Sequence, residues 1–435
     1  MGRSYARWGG GAILPLVLGC LGLLLVAGVS SGRESSSVCG SVDGGAGARI
    51  TANVAGVRVR AVVDGRLGSH GSQPCALTVR ISVPASDYSV AFKLRWGRAV
   101  LAQRTLRISR AGAVRVVLAL DKSARDELQH ATKLSATLRM VASSSQAKTG
   151  SATTKLVLQP RLQSVTFQET GKQQRFVVPA GVRSISVRAV GAPGETGSYA
   201  IRSAGGYGAI VSGVLAVHPG EVLYVEVGGM PHIPDQAFGG FNGGGNAGRA
   251  YTCETAGCGP AGGGGGASDI RTISMSASGS LGSRLLVAGG GGGGGNAEGS
   301  GTGGAGGNAS AAGSAGKPSG GAGGLPGMGS GGAGGAASGN AAPGDAGALG
   351  IGGSGGEGAP STAQNTGGDG GGGGGGVFGG GGGGGGGNAT PNGSGGGGGG
   401  GTSLVPPGGS SRIAPCSPEI ATCNWLPMIE ITYAM

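Results

Sequence analysis

Apolar and polar residues alternate with a period of two through much of the chain's first half, from Arg49 to Leu158. This alternation is typical of β-strands that bury one face and expose the other. The clearest alternating segments lie at residues 77–83, 88–96, 114–120 and 134–140. About seven short strands predict a β-sandwich over residues 49–160. One short helix is predicted from Ser123 to about Gln129, with Asp121 or Ser123 as its N-cap.

A second β region is predicted over residues 164–435. Two turns mark it, because Pro179-Ala180-Gly181 and His218-Pro219-Gly220 place proline where φ is preset and glycine where φ can be positive. A closing strand is predicted at 428–434. A disordered tail need not end in a strand, so residues 288–401 are interpreted as an insertion between two strands of one sheet. The other predicted strands lie at 165–167, 175–178, 184–190, 209–217, 221–227, 270–275 and 285–287.

Glycine dominates the insertion at about residues 288–401, and the whole chain holds 108 glycines in 435 residues. One interpretation is a flexible, solvated linker. The other is a bundle of extended, polyglycine-II-like rods, whose amides must pair sideways because such a helix has no internal hydrogen bonds. A run of seven residues would form a rod of about 22 Å, and runs of similar length favour rods packed side by side. The purest runs are 289–295, 370–376, 379–387 and 395–401.

Several segments follow one another in an order that carries a resemblance. They are "VTFQETGKQQRFVVPAGVRSISVRAVGAPG", "SGVLAVHPGEVLYVEVGG", "GGGGGASDIR", "SRLLVAGGGGGGG" and "IEITYA". This succession resembles the bacterial secreted glycine-rich protein family, and it is similar to the extracellular glycine-rich region of the anaplastic lymphoma kinase and leukocyte receptor kinases. The resemblance implies a second β-sandwich with a packed glycine-helix insertion, used outside the cell for ligand recognition.

The first domain also carries a resemblance. Its strands, its short helix and the strand "KLSATLRMVA" that follows resemble actinobacterial immunoglobulin-like modules. The resemblance to receptor kinases stops at the ectodomain. A kinase needs a His-Arg-Asp catalytic loop and an Asp-Phe-Gly metal ligand, and the chain contains neither triplet.

The N-terminus has the pattern of a secretion signal. Arg3 and Arg7 precede an apolar stretch at residues 12–29, which small residues follow. We interpret residues 1–32 as a signal peptide and 33–48 as a linker. An uncleaved membrane anchor is the alternative, and lipid attachment at Cys20 is a further one, because Val17-Leu18-Gly19-Cys20 resembles a lipid-attachment box. The predicted location is therefore secreted or at the cell surface.

Six cysteines remain once Cys20 is removed with the signal. An even number of cysteines in an exported chain predicts disulfides. Zinc is the alternative, but no C-x-x-C motif occurs and the histidines are scattered. Many connectivities are open, and proximity along the chain favours Cys39–Cys75, Cys253–Cys258 and Cys416–Cys423.

The formal net charge of +12 is unevenly distributed. The residues after Ala288 hold two basic and six acidic side chains, a net −4, so the residues before them carry +16. A basic first half could attract nucleic acid or acidic envelope polymers, and the export signal favours the polymers. A solvated arginine-rich face is the alternative. Aromatic residues make up only 4%, which supplies a nucleic-acid stacking platform poorly.

No catalytic set, cofactor site or metal site is predicted. We expect an exported, non-enzymatic surface or extracellular protein in adhesion, ligand binding or envelope structure. Its partner would be an extracellular protein or polysaccharide, and it would contact a membrane only through the signal segment or a lipid at Cys20. A receptor-like glycine-rich ectodomain is the alternative.

Overall fold

The computed structural model describes most of the chain. The described residues are 38–43, 48–70, 73–84, 87–130, 133–146, 148–197, 203–231, 238–248, 260–297, 301–317, 321–360, 367–388, 393–414 and 426–434. Within them the protein has eighteen strands, one α-helix and one short 3-10 helix, so the predicted all-β class is confirmed. No helix in this part is long and apolar enough to cross a membrane.

The first nine strands form one antiparallel sheet in the order β6-β5-β8-β9-β1-β3-β4-β7, and β2 also pairs with β3. The strands are β1 (Val38–Asp43), β2 (Arg49–Val54), β3 (Val57–His70), β4 (Gln73–Val83), β5 (Tyr88–Trp96), β6 (Ala99–Ile108), β7 (Gly112–Ala119), β8 (Leu134–Ser144) and β9 (Thr149–Pro160). Alternate side chains point inward, so that Leu77, Phe92 and Leu138 are buried in one core.

This sheet curves until distant strands meet. A Cβ added to Gly150, in β9, would lie 2.0 Å from the carbonyl oxygen of Asn53, in β2. Arg104, on the edge strand β6, donates a hydrogen bond of 3.0 Å to the carbonyl oxygen of Val117 on the other edge strand, β7. The two edges therefore lie side by side, and an immunoglobulin-like arrangement of these strands stays a prediction.

The helix α1 (Lys122–His130) forms where it was predicted. Asp121 Oδ1 accepts a hydrogen bond of 2.7 Å from the amide of Ala124, so Asp121 rather than Ser123 caps the helix. Ala124 and Leu128 are buried and belong to the core of the sheet.

The segment 33–48 is more than the predicted linker, because β1 lies within it. β1 pairs with β9 on one side and with β3 on the other, inside the sheet. The sequence gives little sign of a strand here: glycine interrupts the segment and its alternation is short. Pairing on both sides supplies the stabilisation that local propensity lacks.

Nine more strands build the second module in two antiparallel sheets, ordered β10-β18-β12-β13-β17 and β11-β14-β15-β16. They are β10 (Leu162–Gln168), β11 (Gln174–Val177), β12 (Ser184–Val190), β13 (Ala209–Ala216), β14 (Val222–Glu226), β15 (Ser268–Arg271), β16 (Arg284–Ala288), β17 (Ser410–Ile413) and β18 (Met428–Ala434). One core takes side chains from both sheets, among them Val187, Leu223 and Ile431. β10 begins at Leu162, two residues before the predicted boundary.

The closing strand completes a sheet that begins before the glycine-rich insertion. Ile431 of β18 lies opposite Val165 of β10 and opposite Val187 of β12. Along the chain, the glycine-rich insertion thus separates β16, a strand of the other sheet, from β17 and β18 of this one. The two predicted turns also form, with Gly181 at φ 87° and Gly220 at φ 82°.

Candidate functional site: the glycine-rod lattice

The glycine runs are paired laterally through their backbones. In the run at 370–376, three successive amides donate to three different neighbouring segments, and the amide of Gly373 returns to the first of these segments, at Gly353. The direction of the amide hydrogen bonds therefore repeats every three residues, as in a polyproline-II-like helix, which has three residues per turn. The first three bonds are Gly370 to Gly356 at 2.9 Å, Gly371 to Gly396 at 2.9 Å and Gly372 to Gly262 at 3.0 Å.

The carbonyl groups of the same run accept from three further segments. The carbonyl oxygens of Gly370, Gly371 and Gly372 accept hydrogen bonds of 2.8–2.9 Å. Their donors are the amides of Gly248, Gly383 and Gly293, respectively. The run is therefore bonded to six surrounding segments. The runs at 289–295, 379–387 and 395–401 are each bonded to six segments in the same way, so the four runs form the interior of one hydrogen-bonded lattice of rods.

Only glycine fits the interior of this lattice. A Cβ on Gly383 would lie 2.1 Å from the carbonyl oxygen of Gly396, and one on Gly291 would lie 2.1 Å from that of Gly206. Real Cβ atoms essentially never approach other atoms so closely. The runs therefore adopt the ordered bundle, one of the two interpretations that the sequence left open.

Rods at the surface of the lattice show a local sequence period that was not predicted. In the segment 331–338, Gly332 and Gly335 are buried, whereas Ala333 and Ala336 are exposed. A pattern of two glycines and one larger residue thus marks a rod with one open side. The collagen-type repeat, with glycine at every third position, does not describe this pattern.

Exposed apolar side chains gather at the turns that end several rods. Met328 is 76% exposed, Ile351 56% and Leu349 47%. Leu349 forms a bridge with Phe378, in the turn between the runs 370–376 and 379–387. An open groove of about 720 Å³ lies at this end, lined by Phe241, Met275, Leu281, Leu349 and Ile351 among others.

A buried charged network holds the wall of this groove. Arg271 is 2% exposed. It donates to both carboxylate oxygens of Asp269, at 2.6 and 2.9 Å, and to Asn242 Oδ1 at 2.7 Å. Burial acts to lower the pKa of Arg271, but the hydrogen bond and the charge of Asp269 raise it on balance. The bidentate pair with Asp269 fixes the orientation of the guanidinium group. The hydrogen bond to Asn242 then connects β15 to the loop that carries Asn242.

Glu226 lies beside this network. It stands opposite Asp269 in the pairing of β14 with β15 and is fully buried. Gln173 donates to its Oε1 at 2.5 Å, and its Oε2 has no hydrogen-bond partner among the described residues. Burial raises the pKa of Glu226. These residues were not predicted from the sequence, although Glu226 and Arg271 are charged residues inside predicted strands and were a visible signal.

Arg284 joins the sheet to the lattice. Its Nη1 donates to the carbonyl oxygen of Gly376 at 2.8 Å and its Nη2 to that of Val377 at 3.2 Å, at the end of a central run. Burial lowers the pKa of Arg284. This side chain satisfies carbonyl groups where the run turns and its lateral pairing stops.

The opposite end of the same run holds a buried acid, Asp369. Its Oδ1 accepts a hydrogen bond of 2.8 Å from the amide of Gly358. Burial raises the pKa of Asp369 from 3.8 to about 6. One central rod thus has an arginine at one end and a carboxyl group at the other.

The predicted cysteine sites fall mostly outside the described residues. Cys75 is buried and disulfide-bonded. The side chain of Cys39 is not among those described, and neither are Cys20, Cys253, Cys258, Cys416 and Cys423, so the three pairings stay predictions. In the described ranges no group of three or more His, Cys, Asp or Glu residues could hold a metal ion.

Comparisons with known proteins leave the family open. A scan against protein-family models found no match, and a search of curated proteins found none either. The resemblance to secreted glycine-rich proteins therefore stays a hypothesis.

Proposed function

We propose that the protein is an exported, non-enzymatic surface or extracellular protein and a member of the secreted glycine-rich family. Its rod lattice acts as a rigid scaffold in adhesion, ligand binding or envelope structure. The observation that carries the proposal is the six-neighbour bonding of the central runs, because a flexible linker needs no such order. Backbone groups rather than side chains fill this lattice, which favours a structural role over catalysis.

Two further observations support the proposal. The N-terminal pattern of Arg3, Arg7 and the apolar stretch at 12–29 is that of a secretion signal. The apolar rod ends and the groove beside them form a surface that a rigid support holds in place, and exposed apolar patches often mark interaction sites.

Fractionation of the native cell tests the proposal. We expect the protein in the wall or extracellular fraction, with a mature N-terminus between residues 28 and 32. A Gly383→Val variant should be lost from the wall fraction because it disrupts the lattice, whereas Ala333→Val, on an exposed rod position, should be retained.

Three results would count against this function. Full-length protein found only in the cytoplasm would contradict export. Equal retention of both variants would show that the lattice has no part in envelope attachment. Recovery in complex with a separate membrane protein would favour the receptor-like ectodomain instead.

A further inference from the structure

One outer face of the first module concentrates arginine side chains. The face spans four neighbouring strands, β2, β3, β4 and β7, whose outward positions are set by their pairing registers. We call this surface the arginine face, and its exposed arginines are Arg49, Arg58, Arg60, Arg80 and Arg115.

The registers bring these arginines together in rows. Val62 stands between Arg49 on one side and Arg80 on the other, and Arg80 lies directly opposite Arg115. In the adjacent row, Arg60 stands between Thr51 and Ser82. Three strand spacings of about 4.8 Å make the face about 14 Å wide.

This placement opposes the stability of the sheet. Like charges directly opposite each other on neighbouring strands are destabilising. The outward positions in these rows hold no acid, and Asp64 follows only where β3 is irregular, past Val63. In the described part of the chain, Arg49, Arg60 and Arg80 form no ion pair. An anionic ligand across the face would remove the repulsion.

The residues between the arginines indicate what kind of anion fits. Thr51, Asn53 and Ser82 are exposed on the same face and offer hydroxyl and amide groups for hydrogen bonds. The outward positions of these rows hold no aromatic side chain on which a nucleic-acid base could stack. Val62 is the largest apolar side chain exposed there, too little to insert into a lipid surface.

We propose that the arginine face binds an extended acidic polysaccharide. Guanidinium groups pair with carboxylates through two parallel hydrogen bonds, and the short polar side chains between them would accept and donate to sugar hydroxyls. A face of this width matches several units of a polymer rather than one small anion. The proposal rests on the proposed export only for access to such a polymer.

The opposite outer face supplies a matched control. Lys93 of β5 lies directly opposite Arg139 of β8, and Arg60 of β3 lies diagonally across from Arg80 of β4, so each pair places two like charges on neighbouring strands. Replacing either pair removes the same charge from the same module. A difference between the two double variants therefore reports on the face and not on net charge.

The experiment measures binding of the full mature chain to alginate, a polyuronate, with neutral dextran as the blank. We expect salt-sensitive binding to alginate, weakened about tenfold or more by Arg60→Gln with Arg80→Gln. Lys93→Gln with Arg139→Gln should change it less than about threefold. Because like charges are removed, neither double variant should lower the melting temperature.

Several outcomes would overturn the inference. They are no binding to alginate, an equal loss in the two double variants, or tighter binding to duplex DNA or to vesicles of anionic lipid than to alginate. Failure here with the protein still in the wall fraction removes only this inference. Binding to alginate by a protein found only in the cytoplasm would remove the proposed function and leave the binding site.

Discussion

At the scale of single residues, two buried charged side chains lie at the two ends of the central run 370–376. Arg284 closes one end of the run at 370–376 with two hydrogen bonds to carbonyl groups, and Asp369 lies at the other end. Asp369 is 4% exposed and receives one backbone hydrogen bond, which compensates its burial only in part. Its charge state should therefore control part of the stability of the module.

Because of Asp369, the protein should be more stable in mild acid than at neutral or alkaline pH. Its folded pKa of about 6 lies above the unfolded value of 3.8, so the folded state keeps a proton that the unfolded chain has released between these values. Stability therefore falls as the pH rises through this window, by about 3 kcal/mol in total, and stays low above it. Asp369→Asn should remove this contribution and be more stable at pH 8, as measured by urea unfolding at pH 4.5 and pH 8.

The control for this variant is Asp345→Asn, on an exposed rod position, which should leave the pH profile unchanged. A profile that is the same for the wild type and Asp369→Asn would show that the carboxyl group is ionised in the folded state without penalty.

At the scale of elements, a rod is stable only through its neighbours, since it has no hydrogen bonds of its own. Gly383→Val would place a branched side chain where a Cβ alone already lies 2.1 Å from a carbonyl oxygen. We expect a loss of more than about 3 kcal/mol for the second module. Ala333→Val should stay within about 0.5 kcal/mol, since its side chain is exposed. Thermal unfolding of both variants measures the difference, and similar melting temperatures would argue for a loose lattice.

The elements that the sequence predicts well are those with local signals. Alternation locates β5 at Tyr88–Trp96 and β12 at Ser184–Val190 without error in their bounds. β1 lies in a segment predicted as a linker, because the pairing that stabilises it involves strands far along the chain. The partners of the glycine runs could not be predicted at all, since identical residues carry no information on register.

Some features of the candidate site could likewise be predicted from the sequence and others could not. The ordered rods could be proposed from run lengths and from the closing strand. The network of Arg271, Asp269 and Asn242 could not, because it depends on a contact between β15 and a loop 27 residues away along the chain. The arginine face also needed the structure, since Arg49, Arg80 and Arg115 become neighbours only through strand pairing.

At the scale of the whole molecule, the two modules have separate cores, so they should unfold separately. Truncation after Pro427 removes β18, which lies between β10 and β12. We expect the second module to unfold while the first keeps its native strands, so calorimetry should lose one transition and retain the other. Loss of both transitions would show that the modules fold as one cooperative unit.

The threefold rotation of the lattice bonds sets a rule for how its length can vary. Within a pure glycine run, shifting the chain along the rod axis by one residue and rotating it by a third of a turn restores the same pattern of hydrogen-bond donors and acceptors. A run such as 379–387 can thus slip by a single residue without a new clash. An outer rod such as 331–338 cannot shift by one residue in this way. Such a shift would move Ala333 into the position of Gly334, where a Cβ would lie 1.9 Å from a carbonyl oxygen. Single-residue insertions should therefore be tolerated in the interior runs, and the surface rods should accept only multiples of three.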